Sequence, residues 1–267
     1  MFKERMTTSA IPERVFSLCQ LISSKEMVET EAKEKIEPPD IGGKTSYFGT
    51  VREAAKELGL INVKDGQKLC LAVDKKNISN MDAMRKYIVK HIQSLERSLF
   101  YAVTQAYLGL QDKIFEYFSV SDKELVALMS KKTGLMVYED DMRAWRFWSS
   151  YLGFGHLHKI NKAANAVELL VPNVMVYLDS VMAVADLEAG KKYEISEFMD
   201  WISKYTDIIQ NEEDNNLNLA FSYGLRGLHD SGKIVLEHNM DSKDMWFLYK
   251  DEMHEIPNAI SHITIRR

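Results

Sequence analysis

Four groups of residues in this 267-residue chain have types and spacings that could do chemistry. His156 and His158 stand two apart in Gly155-His156-Leu157-His158, a stretch that reads as a strand, so the two rings share a face. A pair of imidazoles can begin a metal site, but a third ligand is needed and no Cys, Asp or Glu follows at ligand spacing. Glu139, Asp140 and Asp141 could hold a divalent ion for phosphodiester chemistry. Three acids at the start of a helix are more simply explained by the positive end of the helix dipole. Arg143, Arg146, Lys159 and Lys162 form a third group, with Arg52, Lys56, Lys64 and Lys68 in corresponding places earlier in the chain. Such cations can reach phosphates and guanine edges; the plain alternative is that they are ordinary solvated charges. Trp145 and Trp148 fit a core better than a base-stacking platform. The chain has no GxxxxGK, GxGxxG, GxSxG or HExxH. The expectation is therefore no catalytic residue, no metal site and no cofactor.

The elements that would position these residues repeat. Glu139 to Leu152 reads as a helix with Met142, Trp145, Trp148 and Leu152 on one face. Gly153 stops it, because glycine takes the left-handed conformation cheaply. Phe154–Ile160 and Val167–Val171 then read as a β-hairpin around a polar tip, Asn161 to Asn165. An earlier copy runs Thr50 to Leu60, then Ile61–Val63, the tip Lys64-Asp65-Gly66-Gln67, and Lys68–Val73. A looser third copy runs Leu217 to His229, then Lys233–Glu237 paired with Met245–Tyr249. Repetition on this scale outweighs any single residue.

Between the copies, Met81, Met84, Ile88, Ile92, Leu95, Leu99, Val103, Ala106 and Leu110 follow one another by three or four. A helix over 79–110, capped by Ser79 or Asn80, would be roughly 45 Å long at 1.5 Å per residue. Breaks near Ser98 or Gly109 are the alternative. Such a helix either scaffolds two domains or offers Ile88, Ile92, Leu95 and Leu99 to a partner. Residues 11–22 and 25–36 read as helices before Pro38-Pro39. Ser121 and Glu124 have capping-box spacing for a helix ending at Gly134. Pro172 leads into a helix over 173–187, Ser196–Thr206 is amphipathic, and the tail from Ile260 alternates like a final strand. The expected domains are residues 1–78, a connector over 79–110, then 111–190 and 191–267.

Charge is uneven. Residues 1–78 carry 13 basic and 12 acidic side chains, 79–187 carry 12 and 12, and 188–267 carry 9 and 15. A dedicated DNA-binding domain usually has a basic face; in bulk this chain does not. No apolar run approaches the roughly 18 residues of a membrane span, and Met1 to Met6 lacks the apolar core of a signal peptide. Cys19 and Cys70 have no metal spacing and read as small buried hydrophobes. Together these features point to a cytoplasmic protein.

Helix, glycine, strand, polar tip, strand resembles the winged helix, carried here by Leu58-Gly59-Leu60, Leu152-Gly153-Phe154 and the hairpins. The whole chain resembles tandem winged-helix accessory subunits of bacterial SMC-type complexes, in particular the small third component of Lamassu-type defence systems. The resemblance implies an α+β fold, mainly α, of helix-turn-helix units with hairpin wings joined by a long helix. It implies a non-enzymatic subunit in prokaryotic defence, with an SMC-like ATPase and a nuclease effector as partners and no membrane. Double-stranded DNA would be met through Arg52, Lys56, Lys64, Arg143, Arg146 and Lys162. A stand-alone transcription regulator and a metal-dependent nuclease are the rival expectations.

Overall fold

The computed structural model describes residues 2–38, 46–65, 67–119, 122–159, 168–209, 211 and 214–266. The fold is α+β and mainly helical. It opens with α1 (Pro12–Ser23), whose Val15, Leu18, Cys19 and Ile22 are buried at helical spacing, with Pro12 in the first turn. Next come β1 (Met27–Val28), α2 (Glu29–Ile36), α3 (Phe48–Glu57), β2 (Ile61–Lys64) and β3 (Lys68–Leu71). The three strands form an antiparallel sheet with β3 in the middle, Met27 facing Leu69 and Ile61 facing Leu71.

The continuous helix expected over 79–110 is not there. α4 (Met81–Lys90) is capped by the Asn80 side chain, a 3-10 turn covers Ile92–Leu95, and α5 (Leu99–Leu108) starts afresh. Ser98, at extended φ and ψ, caps α5 by accepting from Tyr101 N at 3.2 Å. The apolar spacing misleads because a 3-10 turn also repeats every three residues. Ile92 and Leu95 hold their places in the pattern while the axis changes.

α6 (Asp122–Thr133), α7 (Glu139–Leu152), β4 (Gly155–Lys159) and β5 (Glu168–Pro172) follow. Gly153 has φ of +89°, as its position after α7 predicts. β4 and β5 pair antiparallel, Leu157 facing Leu170. Ser121 and the tip between the strands lie outside the described residues.

α8 (Met175–Val184) leads to β6 (Lys192–Glu194), α9 (Ile195–Thr206), α10 (Leu219–Asp230) and β7 (Ile234–Glu237). Here the expected hairpin is corrected. β7 does not pair with residues 245–249; its neighbour is the tail strand β10 (His262–Ile265), which lies between β6 and β7. The residues around 246 instead form a short excursion, β8 (Trp246–Phe247) against β9 (Ala259–Ile260). The first and third segments thus share one order, helix, strand, helix, helix, strand, strand, with the last strand central. Among the described residues the middle segment has the same order without the first strand.

One hydrophobic cluster runs from Phe2 to Ile265 through all three. The N-terminus is part of it: the Phe2 ring lies edge-on to Phe100 and to Trp148. Among the described residues no helix is long and apolar enough to cross a membrane.

Candidate nucleic-acid and partner interface

α3 carries the first set of expected DNA contacts. Its buried side is Phe48, Val51, Ala54 and Ala55, so Arg52 and Lys56 lie on the outer side. Neither is a bare charge. Arg52 Nη1 reaches Glu29 at 2.5 Å and Nη2 reaches Glu53 at 2.8 Å, while Lys56 Nζ is 3.4 Å from Glu53. Burial pushes the Glu53 carboxyl up, but Arg52 and Lys56 outweigh it and hold the group below the usual carboxylate range. Lys64, on the hairpin, is bonded to Glu26.

α7 carries the second set, and the structure divides it. Arg143 is exposed, 3.3 Å from Asp140 and 3.5 Å from Glu139. Arg146 is not available to DNA: it is 4% exposed, with Nη2 2.6 Å from Asp122 of α6. Facing α6 rather than solvent, its guanidinium clips two helices together, and its Nε has no hydrogen-bond partner among the described residues. Lys162 lies outside the described residues. Nearby, Asp141 is fully buried and accepts from Tyr138 N at 2.9 Å, Met6 N at 2.6 Å and Arg5 Nε at 3.1 Å. It ties the N-terminal segment to α7. His156 and His158 are exposed on β4. Among the described residues no three His, Cys, Asp or Glu stand close enough to hold a metal ion. Trp145 and Trp148 are core residues, their indole N–H groups donating to Thr104 Oγ1 at 2.9 Å and to Ala10 O at 2.8 Å.

α10, the corresponding helix of the last segment, is buried nearly all round. A Cβ on Gly224 would stand 2.8 Å from Val174 Cγ2 and 3.0 Å from Leu178 Cδ1, so glycine lets α8 press onto it. Arg226 is buried too. It donates to Asn258 at 3.0 Å, its Nε and Nη1 have no partner among the described residues, and burial pulls its pKa down.

The residues expected to meet a partner are corrected as a group. Ile88, Ile92, Leu95 and Leu99 are all buried in the core. They face inward because α4 packs on α8 and α5 on α6. Exposed apolar surface lies instead at the turn into α7, where Met136 is 71% exposed beside Leu135 and Tyr138, and on α7 at Phe147. Asp140, Arg143 and Phe147 follow at helical spacing and make one outward stripe. A cleft of about 360 Å³ under Met136 is walled by Lys3, Arg5, Leu99 and Tyr138. Sequence reading gave Met136 no role, since the short apolar run Leu135-Met136-Val137-Tyr138 lies before the helix and carries no helical period. No protein-family model, curated protein or solved structure matches this chain.

Proposed function

We propose that this chain is a tandem winged-helix protein without a catalytic centre of its own, acting as a subunit that bridges proteins in a DNA-handling complex. The order helix, strand, helix, helix, hairpin, with the last strand central, supports the winged-helix reading of the first and third segments. The observation that carries the functional reading is the state of the three third helices. α10 is buried, α7 turns Arg146 inward, and the cations of α3 are held in ion pairs. A stand-alone regulator needs a basic helix presented to the major groove; this arrangement favours protein contact over base reading. Duplex DNA is then a secondary ligand, met at the α3 face. The partners are the SMC-like ATPase and nuclease effector that the sequence resemblance implies, in prokaryotic defence.

The test is co-expression with an SMC-like ATPase and nuclease encoded beside this chain, followed by size-exclusion chromatography with light scattering. A stable complex is expected, weakened by Met136→Asp with Phe147→Asp, while the chain alone binds duplex DNA weakly. Absence of any complex, together with nanomolar sequence-specific duplex binding by the chain alone, would replace this reading with the regulator.

A further inference from the structure

A larger cleft, of about 590 Å³, opens where α5 meets α9 and β8. Three carboxylates stand on its wall, Glu96 before α5, Asp200 on α9 and Asp207 just after it, and among the described residues no Lys or Arg lines it. None of the three takes part in an ion pair or a side-chain hydrogen bond among the described residues. That is unlike Glu53 of α3 and Glu139, Asp140 and Asp141 of α7, each of which has a cation beside it. Asp207 contributes only its backbone oxygen, accepting from Gln105 Nε2 at 3.1 Å.

An independent feature points into the same space. Tyr101 lines the cleft although it is only 4% exposed. Its backbone N–H donates to Ser98, but its hydroxyl makes no hydrogen bond among the described residues. The ring is packed into the fold while the hydroxyl keeps access to the cleft, where it is open to a ligand. Burial first, then the charges of Asp207 and Glu96, push it up to about 12, so it stays protonated. The indole of Trp246 completes the wall, its N–H turned away to Ser196 Oγ at 2.9 Å.

The ligand follows from this chemistry. An inorganic ion is ill suited, since among the described residues no three acids are close enough to coordinate one. An organic cation spreads its charge and N–H donors over several ångströms, and the cleft volume is in the range of small-molecule sites. We propose that this cleft binds an organic cation, its ammonium or guanidinium groups reaching Glu96, Asp200 and Asp207 and donating to the Tyr101 hydroxyl. The aromatic wall suits the methylene or guanidinium portion. The same chemistry arises from a free polyamine or from an arginine side chain of a partner protein. The proposal stands whether or not the chain belongs to a DNA-handling complex.

The experiment is calorimetric titration of the full chain with spermidine, with a short neutral-capped peptide containing two arginines, and with magnesium. Sub-millimolar binding of spermidine or the peptide is expected, with magnesium not competing at equal concentration. Glu96→Gln with Asp207→Asn should weaken it roughly tenfold, the scale of losing charge-assisted hydrogen bonds. Tyr101→Phe should weaken it about threefold with the thermal midpoint unchanged, because the hydroxyl holds nothing in the fold. Glu34→Gln with Asp241→Asn, an equal charge change on open surface, should leave binding intact. Spermidine alone binding assigns a free polyamine; the peptide alone binding assigns a partner's side chain; either supports the site. Binding by neither ligand below about 1 mM overturns it, as does equal loss in the cleft and surface double variants.

Discussion

α3 and α10 occupy the same place in the same order of elements, yet one is open and the other is core. α3 buries a single face and leaves Arg52, Glu53 and Lys56 outward. α10 buries Leu219, Ala220, Phe221, Ser222, Gly224, Leu225, Arg226 and Leu228, positions that go right round a helix. The cause is α8, which lies against α10 and is admitted by the missing side chain at Gly224. At α3 the glycine is Gly49, where an added Cβ would meet nothing within 4 Å among the described residues. Connectivity thus leaves open whether a third helix faces a ligand or the core. What decides it is whether a neighbouring segment is shaped to cover it.

Glycine substitutions should break the contrast most forcefully. Gly224→Leu drives side-chain atoms into Val174 and Leu178, and a loss of about 3 kcal/mol is expected from overpacking and displacement of α8. Gly49→Leu, in open space, should stay within about 0.5 kcal/mol of the parent, the range of ordinary surface changes. Urea unfolding followed by circular dichroism measures both. Equal effects at the two glycines would mean that the packing on α10 does not distinguish it from α3.

The parts legible in the sequence are local ones. The helix ended by Gly153, the hairpins of the first and middle segments and the alternating tail all follow from contacts a few residues apart. The misplaced parts need long-range partners. β7 finds β10 rather than the nearer apolar stretch around Trp246, and β6, with three residues, is too short to show alternation. Arg146 belongs to the same class. On a helical wheel it is a surface cation beside the apolar stripe, and only Asp122, 24 residues away, makes its burial tolerable. The Tyr101 cleft was missed for a related reason, since Glu96 and Tyr101 come from a segment distant in sequence from Asp200 and Asp207 and share no spacing with them.

The ion pairs on α3 give the next contrast. Glu29→Gln with Glu53→Gln removes the acids that hold Arg52 and Lys56. If α3 meets phosphates, duplex affinity at low salt should rise roughly tenfold and the salt slope should steepen by about one to two units, one per released cation. The corresponding change in the last segment, Asp179→Asn beside Lys233, should leave the slope as it was. Fluorescence anisotropy at several salt concentrations reads both. An unchanged slope in the α3 variant would assign its outer face to a protein partner.

The smallest expected effect concerns acid. Glu37, at the end of α2, reaches across to the start of α3 and accepts from Phe48 N at 2.5 Å, from Tyr47 N, and from Ser46 Oγ at 2.7 Å. Burial raises its pKa, but those three hydrogen bonds and Lys33 outweigh it, so the folded value lies below that of a free glutamate. In the last segment Glu237 is lowered in the same direction, by its hydrogen bond to Lys192 and then by Thr264, which joins the three strands of that sheet. A carboxyl depressed in the folded state gives its stabilisation above the unfolded value, near 4.3, and loses it as pH falls through the lower folded value. Glu37 also serves as the negative group at a helix start, where the side chain of the N-cap residue Tyr47 supplies no cap. Glu37→Gln should therefore cost about 0.5–1 kcal/mol at pH 7, a cap-sized loss, and progressively less as pH falls through the lowered folded value. Glu237→Gln should cost less, because its partners are exposed and screened. Urea midpoints at pH 7 and pH 3 compare the two. A Glu37→Gln deficit that persists unchanged at pH 3 would show that the carboxylate charge plays no part in starting α3.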